Sequence, residues 1–141
     1  MTMENSLSTP FISISTLRVK EGKLETYKRY MRELLKTFET KEPQLIAFHV
    51  FLNEDGTEMT SIQIHPDAAS MDFHLHVLGQ VLPRLKEQFG DVFEFIELKR
   101  IEYYGTPSAS ALESVRRFME SGVALSFKPL HVGGFTRSTA G

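Results

Sequence analysis

The chain has 141 residues, of which 41% are hydrophobic and 24% charged, and its formal net charge is −2. This length predicts one domain that can bury a hydrophobic core. The near-neutral net charge does not indicate the basic surface that binding to nucleic acid or anionic lipid requires. The absence of cysteine excludes disulfides, thiolate nucleophiles and cysteine metal sites. The start of the chain has no basic, then apolar, signal pattern, and no apolar run approaches the ~20 residues of a membrane span. We therefore expect a cytoplasmic protein without membrane contact.

The first half of the chain predicts a strand, a helix and a hairpin. Residues 11–19 alternate in polarity and are rich in β-branched side chains, which is typical of a strand. Residues 23–40 place apolar side chains at helical spacing opposite charged ones and predict an amphipathic helix. The apolar run 45–52 favours a strand buried on both faces. After a polar turn, residues 57–65 alternate again, so these two strands predict an antiparallel hairpin.

The second half begins with a helix that ends at Gly90. Asp67 or Ser70 can cap its start, because side-chain oxygens accept from the free N–H groups of a first helical turn. Residues 92–104 then alternate as one long strand. The order βαββαβ predicts an α+β, ferredoxin-like sandwich, in which a four-stranded antiparallel sheet carries both helices on one face.

Three segments follow from this pattern. Residues 1–9 are expected to be a flexible N-terminus, residues 10–105 the ferredoxin-like domain, and residues 106–141 a C-terminal extension. Within the extension, Ser110 and Glu113 have the spacing of a capping box and predict a helix. The extended stretch that follows contains Pro129, which favours an edge strand or an arm over a central strand.

Two histidines lie close together on the second predicted helix. His74 falls at the centre of the apolar arc of the helical wheel, whereas His76 falls on the charged side. A buried imidazole without a hydrogen-bond partner costs about 1–3 kcal/mol, so His74 needs one. Tyr27, His49, Gln63, a backbone carbonyl, water or a ligand remain open as partners, and a core histidine satisfied by one of these is the alternative to a catalytic role.

The other candidates depend on facts that the sequence leaves open. His49 and His65 lie on strands whose register decides which way they face, and His65, just before Pro66, either borders a cavity or meets solvent. No combination of histidines and acids has the spacing of a metal site. Glycine-rich nucleotide loops and a nucleophile elbow are also absent. The sequence therefore predicts neither a metal nor another cofactor.

The chain resembles the antibiotic biosynthesis monooxygenase (ABM)-like family of dimeric α+β barrels over roughly residues 10–104. The resemblance is carried by Val19-Lys20-Glu21-Gly22-Lys23, and by Gln63-Ile64-His65-Pro66-Asp67 leading to His74. In that family a strand commonly ends in an acid-x-tryptophan pair, and an aspartate then opens a helix that carries a histidine. Asp67 and His74 match the last two positions. Gln63 stands where the acid is usual, and His65 where the tryptophan is usual.

The resemblance implies a homodimer whose two sheets pack face to face into a barrel, with a cavity in each subunit between sheet and helices. It also implies a cofactor-independent monooxygenase acting on a small aromatic or quinol-type substrate. By this analogy His74 is the candidate general base and Tyr27 the candidate orienting group. His49, His65 and Gln63 are the candidate ligand-binding residues.

Two other functions remain open at this stage. The protein could be a non-catalytic, ligand-binding or stress-related dimer, in which His74 serves stability alone. It could also be a protein-interaction module that recruits a partner through the C-terminal arm. A shared fold does not decide between these functions and the monooxygenase, because unrelated activities occur on one fold.

Overall fold

The structure, a computed structural model, describes residues 9–137 except the side chains of residues 118–120. Residues 1–8 of the predicted N-terminal segment therefore lie outside the described residues. The chain forms five strands: β1 (Phe11–Val19), β2 (Ala47–Leu52), β3 (Glu58–His65), β4 (Ile96–Tyr104) and β5 (Ala124–Lys128). It also forms three α-helices: α1 (Leu24–Lys41), α2 (Ala68–Phe89) and α3 (Ala109–Glu120).

The five strands make one sheet in the order β2-β3-β1-β4-β5. β1 is central and antiparallel to both β3 and β4, and β2 is antiparallel to β3. The elements β1 to β4, with α1 and α2, follow the βαββαβ order, so the predicted ferredoxin-like α+β fold is confirmed. β5 pairs in parallel with β4 at the edge of the sheet. An edge position is one of the two outcomes predicted for the stretch that contains Pro129.

The helices and the sheet form two layers with the core between them. The larger core cluster lies under α1 and α2, where each helix buries a stripe at helical spacing against the sheet. A smaller cluster lies under α3 and consists of Phe11, Met71, Ile101, Tyr103 and Val115. These two clusters hold α2 along its length, and they position the end of β3 beneath the first turns of that helix.

The prediction that residues 45–52 form a strand buried on both faces is wrong. β2 lies at the edge of the sheet, with β3 as its only neighbouring strand. Phe48 and Val50 pack against the core on the helix side. His49 and Phe51 point to the opposite face, where Phe51 is 61% exposed. The apolar run is therefore half buried, because the helices of one chain cover only one face of the sheet.

The prediction of one continuous strand over residues 92–104 also needs correction. Val92–Glu94 forms a 3₁₀ turn, and β4 begins at Ile96. The Asp91 carboxylate accepts from the backbone N–H of Phe93 at 3.0 Å, which stabilises the turn against an extended start.

The cap of α3 is Ser108 and not the predicted pair Ser110 and Glu113. Ser108 Oγ accepts from the backbone N–H of Ala111 at 3.1 Å, and it donates to Asp72 Oδ1 on α2 at 2.6 Å. One hydroxyl thus caps α3 and ties it to α2. With Ser110 as the cap, the helix would begin at Ala111, two residues after its observed start at Ala109.

We expect Ser108→Ala to lower the free energy of unfolding by about 1 kcal/mol or more, because the cap and the bond to Asp72 are lost together. Ser110→Ala is the matched control and should change it by less than about 0.5 kcal/mol. Urea unfolding followed by circular dichroism measures both values. Equal losses for the two variants would contradict the assignment of the cap.

Candidate functional site

A cluster of five buried polar side chains lies where α1 ends, β3 ends and α2 begins. Its members are Glu42, Gln63, His65, Ser70 and His74. Gln63 and His65 are two residues apart on β3 and so share its helix-facing side. Ser70 and His74 are one turn apart on α2 and share its buried side. Among the described residues, every fully buried side-chain nitrogen or oxygen atom has a hydrogen-bond partner.

Glu42 and His74 form the centre of this cluster. His74 Nδ1 lies 2.9 Å from Glu42 Oε2 and 3.1 Å from Oε1, and the two residues are only 2% and 3% exposed. A carboxylate accepts from Nδ1–H, so in the neutral imidazole Nδ1 carries the hydrogen and Nε2 keeps its lone pair. This arrangement orients an imidazole as a proton acceptor through Nε2.

Sequence reasoning missed Glu42. It caps the C-terminal end of α1, and its backbone N–H donates to the carbonyl of Phe38 at 2.9 Å. Glu42 follows Phe38 by four residues, so it continues the buried stripe of α1 that contains Tyr27, Met31, Leu34 and Phe38. A carboxylate at the next position of an apolar stripe is the signal that could have identified it.

His65 completes the cluster beside His74. Ser70 Oγ lies 2.7 Å from His65 Nδ1, and Gln63 Oε1 lies 3.0 Å from Nε2. Because an amide oxygen only accepts, Nε2 donates to Gln63. Burial lowers the pKa of His65, so the ring is neutral near pH 7 and Nδ1 accepts from the Ser70 hydroxyl. Asp67 caps α2 by accepting from the backbone N–H of Ser70 at 2.9 Å, which confirms one of the two predicted caps. His65 is thus held as a neutral imidazole.

Aromatic rings enclose His74 on several sides. Its ring centroid lies 4.5 Å from that of Phe38, 5.9 Å from that of Phe48 and 5.7 Å from that of His65. One surface groove lies beside Leu130 and another lies between α1 and β2, and neither is lined by Glu42 or His74. His74 therefore faces the interior as predicted, in an apolar enclosure, whereas His76 is exposed.

The structure does not bring Tyr27 to His74. Tyr27 precedes Phe38, the ring nearest His74, by eleven residues on α1, which corresponds to about 16 Å along the helix axis. It lies in the core and stacks on Tyr30 at 5.8 Å between ring centroids. Burial raises the pKa of the Tyr27 phenol, and the neighbouring Tyr30 adds to the shift.

Of the remaining predicted site residues, two lie in the cluster and one lies away from it. Gln63 and His65 lie in the cluster, at the end of β3. His49 lies on the opposite face of the sheet, exposed beside Phe51. Its place follows from the register, because Phe48 pairs with Gln63 on the helix side and adjacent strand residues alternate.

Residues 9–137 contain no group of three or more histidine, cysteine, aspartate or glutamate side chains placed to hold a metal ion. Among the described helices, none is both long and apolar enough to cross a membrane. An imidazole that a carboxylate orients, as Glu42 orients His74, can transfer protons.

Comparison with known proteins gives matches in structure alone. No family model matches the chain, and no curated protein matches its sequence. MupZ from Pseudomonas fluorescens has a similar structure, with a TM-score of 0.65 and 20% identity over 94% of this chain and 98% of MupZ. A provisionally named antibiotic biosynthesis monooxygenase from Bacteroides thetaiotaomicron matches with a TM-score of 0.51 and 18% identity over 64% of this chain and 85% of its own.

A second provisionally named antibiotic biosynthesis monooxygenase, from Deinococcus radiodurans, matches with a TM-score of 0.51 and 14% identity over 70% of this chain and 94% of its own. This chain has the ABM-like fold. The extension, residues 106–141, is about a quarter of the sequence. Because the match with MupZ covers 94% of this chain, it includes most of the extension. At these identities the likeness concerns the fold.

Burial, and secondarily the charge of His74, lower the pKa of His65 to about 4 from its usual 6.5. Between these values the unfolded chain binds a proton at this position that the folded chain does not. We therefore expect stability to fall as the pH decreases from about 6.5 to about 4, by an amount on the order of 2–3 kcal/mol.

Urea unfolding at a series of pH values measures this dependence. His65→Gln should flatten the profile in that window, whereas His76→Gln, which changes an exposed histidine of α2, should leave it unchanged. A His65→Gln profile as steep as that of the unchanged protein would show that another group is responsible.

Proposed function

We propose that the protein is a cofactor-independent monooxygenase that acts on a small phenol or quinol, with His74 as the general base. The observation that carries this proposal is the buried hydrogen bond between His74 Nδ1 and the Glu42 carboxylate. A base is effective when its proton-accepting atom is held in one orientation and its conjugate acid is stabilised. Glu42 provides both to His74.

The proposed reaction needs only a proton acceptor from the protein. His74 Nε2 removes the proton of a substrate hydroxyl, and the resulting anion donates electrons to dioxygen. One oxygen atom bonds to a ring carbon and becomes a carbonyl oxygen. The other leaves as water with two hydrogens of the substrate, one from the hydroxyl and one from that ring carbon. Substrate and dioxygen supply all the atoms and electrons, so no flavin or metal takes part.

The surroundings of His74 suit this chemistry. The rings of Phe38 and Phe48 lie beside the base and make its surroundings apolar. In an interior with little water, the charge of Glu42 acts on the imidazolium more strongly than it would in solvent. The two fold neighbours provisionally named antibiotic biosynthesis monooxygenases agree with the proposal at the level of the fold.

The roles first assigned to other residues change in this proposal. The distance along α1 leaves Tyr27 as a core residue, and Glu42 becomes the residue that orients the base. Gln63 and Ser70 act through His65, because they bond to its two ring nitrogens and orient it beside His74. They are therefore positioning residues.

His74→Gln should reduce oxygen uptake with a quinol by about 100-fold or more, the usual contribution of a general base. Glu42→Gln should reduce it by about 10-fold or more, since the amide still accepts from Nδ1 but does not stabilise the imidazolium. An oxygen electrode measures the uptake against the rate of spontaneous quinol oxidation.

His76→Gln is the control for these variants, because His76 is exposed on the same helix. Circular dichroism establishes that each variant is folded. A folded His74→Gln protein with unchanged oxygen uptake would refute the assignment of the base.

A second candidate function is ligand binding without catalysis. The observation that favours it is that His65 is bonded through both ring nitrogens and that His74 is only 2% exposed. Such a site is stable without a substrate, as a structural histidine would be. Saturable binding of a phenol without any oxygen uptake would support this function over the monooxygenase.

We also propose that the protein forms a homodimer through the face of the sheet that the helices leave open. Ile12, Ile14, Ile62 and Ile64 lie on this face and are partly exposed in the single chain, next to Phe51. The strand spacing gives a face of roughly 600 Å². A standard interface buries about 800 Å² on each partner, so this face alone provides most of the area that a stable dimer needs. The exposed side chains Val132 and Phe135 of the C-terminal arm, residues 129–137, can supply the rest.

Ile62→Lys should convert the dimer to a monomer, because it buries two unpaired charges at the centre of a face-to-face interface. Sedimentation velocity measures the change at micromolar concentration. Gln80→Lys adds the same charge to an exposed position of α2 and should leave the dimer intact. A monomeric unchanged protein, or a dimeric Ile62→Lys protein, would contradict the proposed interface.

A further inference from the structure

A groove of about 440 Å³ lies between the base of the C-terminal arm and the body of the protein. The arm contributes Leu130 and His131, and the body contributes Thr9, Phe11, Ala68 and Thr106. This volume lies within the range of small-molecule sites, about 300–1,000 Å³. The groove belongs partly to the extension, beyond the ferredoxin-like core.

The lining determines which ligands the groove can accept. None of the side chains that line it is an acid, a lysine or an arginine. Charged ligands would lose solvation there without an ion-pair partner, which favours a neutral ligand. Phe11, Ala68 and Leu130 supply apolar contacts, while the hydroxyls of Thr9 and Thr106 and the imidazole of His131 offer hydrogen bonds. The chemistry fits a neutral aromatic molecule with one hydroxyl or carbonyl group.

The floor of the groove contacts the buried cluster. Phe11 on β1 stands directly opposite His65 on β3, and their ring centroids are 6.5 Å apart. The His65 ring in turn lies 5.7 Å from His74. Ala68 begins α2, two residues before Ser70, which bonds to His65. The groove is therefore separated from the cluster by the ring of Phe11.

The second groove does not have these properties. It lies between α1 and β2, holds about 200 Å³ and is lined in part by Lys28, Arg32 and Leu52. None of the five cluster residues, and none of the rings around His74, lines it. The arm groove, in contrast, borders Phe11, whose ring contacts that of His65.

We infer that the arm groove is the binding site for a neutral aromatic hydroxyl compound, and that Phe11, with the His65 ring behind it, is the partition between this site and His74. The inference rests on the proposed function for the identity of the substrate class. It adds the place where that substrate binds, the route by which it reaches the base, and a role in binding for the C-terminal extension.

The test is equilibrium binding of 1-naphthol, a stable neutral phenol that cannot complete the proposed reaction as readily as a quinol. Leu130→Ala on the arm and Thr106→Val on the body change opposite walls of the groove. Each should weaken binding, Leu130→Ala by about 5-fold or more from the lost apolar contact. Leu52→Ala is the matched control, since it removes the same side chain from the second groove.

Amide chemical shifts identify the binding place independently of the variants. On titration with 1-naphthol, the shifts should concentrate at residues 9–11, Ala68, Thr106 and His131. Shifts concentrated around Leu52, or binding that Leu130→Ala and Thr106→Val both leave unchanged, would overturn the inference. Failure of the unchanged protein to bind 1-naphthol would overturn it as well.

The outcome for the groove is separable from that for the proposed function. Binding in the groove without oxygen uptake from any quinol leaves the inference standing and refutes the monooxygenase. Oxygen uptake that depends on His74, together with 1-naphthol shifts outside the groove, refutes the inference alone. Phe11→Leu should raise kcat/KM for a bulky quinol if the Phe11 ring is the partition, and a decrease in a folded protein would count against that role.

Discussion

The hydrogen bond between Glu42 and His74 is the interaction on which the candidate site depends. Removing either partner from a nearly dry interior leaves the other polar group without compensation, at a cost of several kcal/mol for an ionised group. The pair therefore constrains the fold as well as any chemistry. Glu42 can reach His74 only if the end of α1 and the first turns of α2 meet above the end of β3. The bond therefore depends on how both helices are positioned on the sheet.

Parts of this site follow from local sequence patterns and parts do not. The inward direction of His74 and the exposure of His76 are predicted, because His74 lies within the apolar arc of the α2 helical wheel and His76 lies outside it. Glu42 was missed, because charged residues at a helix end are usually solvated and its partner lies 32 residues away. The half exposure of β2 was missed for a similar reason: an apolar run does not reveal whether its strand is central or at an edge.

The ferredoxin-like order was predictable because each element has its own period, and the alternation of α and β limits the topologies. The contacts of the extension were less predictable. Parallel pairing of β5 with β4 depends on α3 crossing the helix layer, and Ser108 rather than Ser110 fixes where α3 begins. The two serines have similar capping propensity, so only the bond from Ser108 to Asp72 on another helix distinguishes them.

The unequal packing around His74 indicates from which side a substrate would enter. Toward α1, His74 borders Phe38 and the larger core cluster, and opening that side would disrupt most of the buried apolar surface. Toward the arm, the small cluster around Phe11 separates His65 from a groove whose outer wall, at Leu130, is 86% exposed. Local opening is least costly where few apolar contacts are lost. The arm side can therefore open to admit a substrate while Glu42 and His74 keep their positions in the enclosed interior.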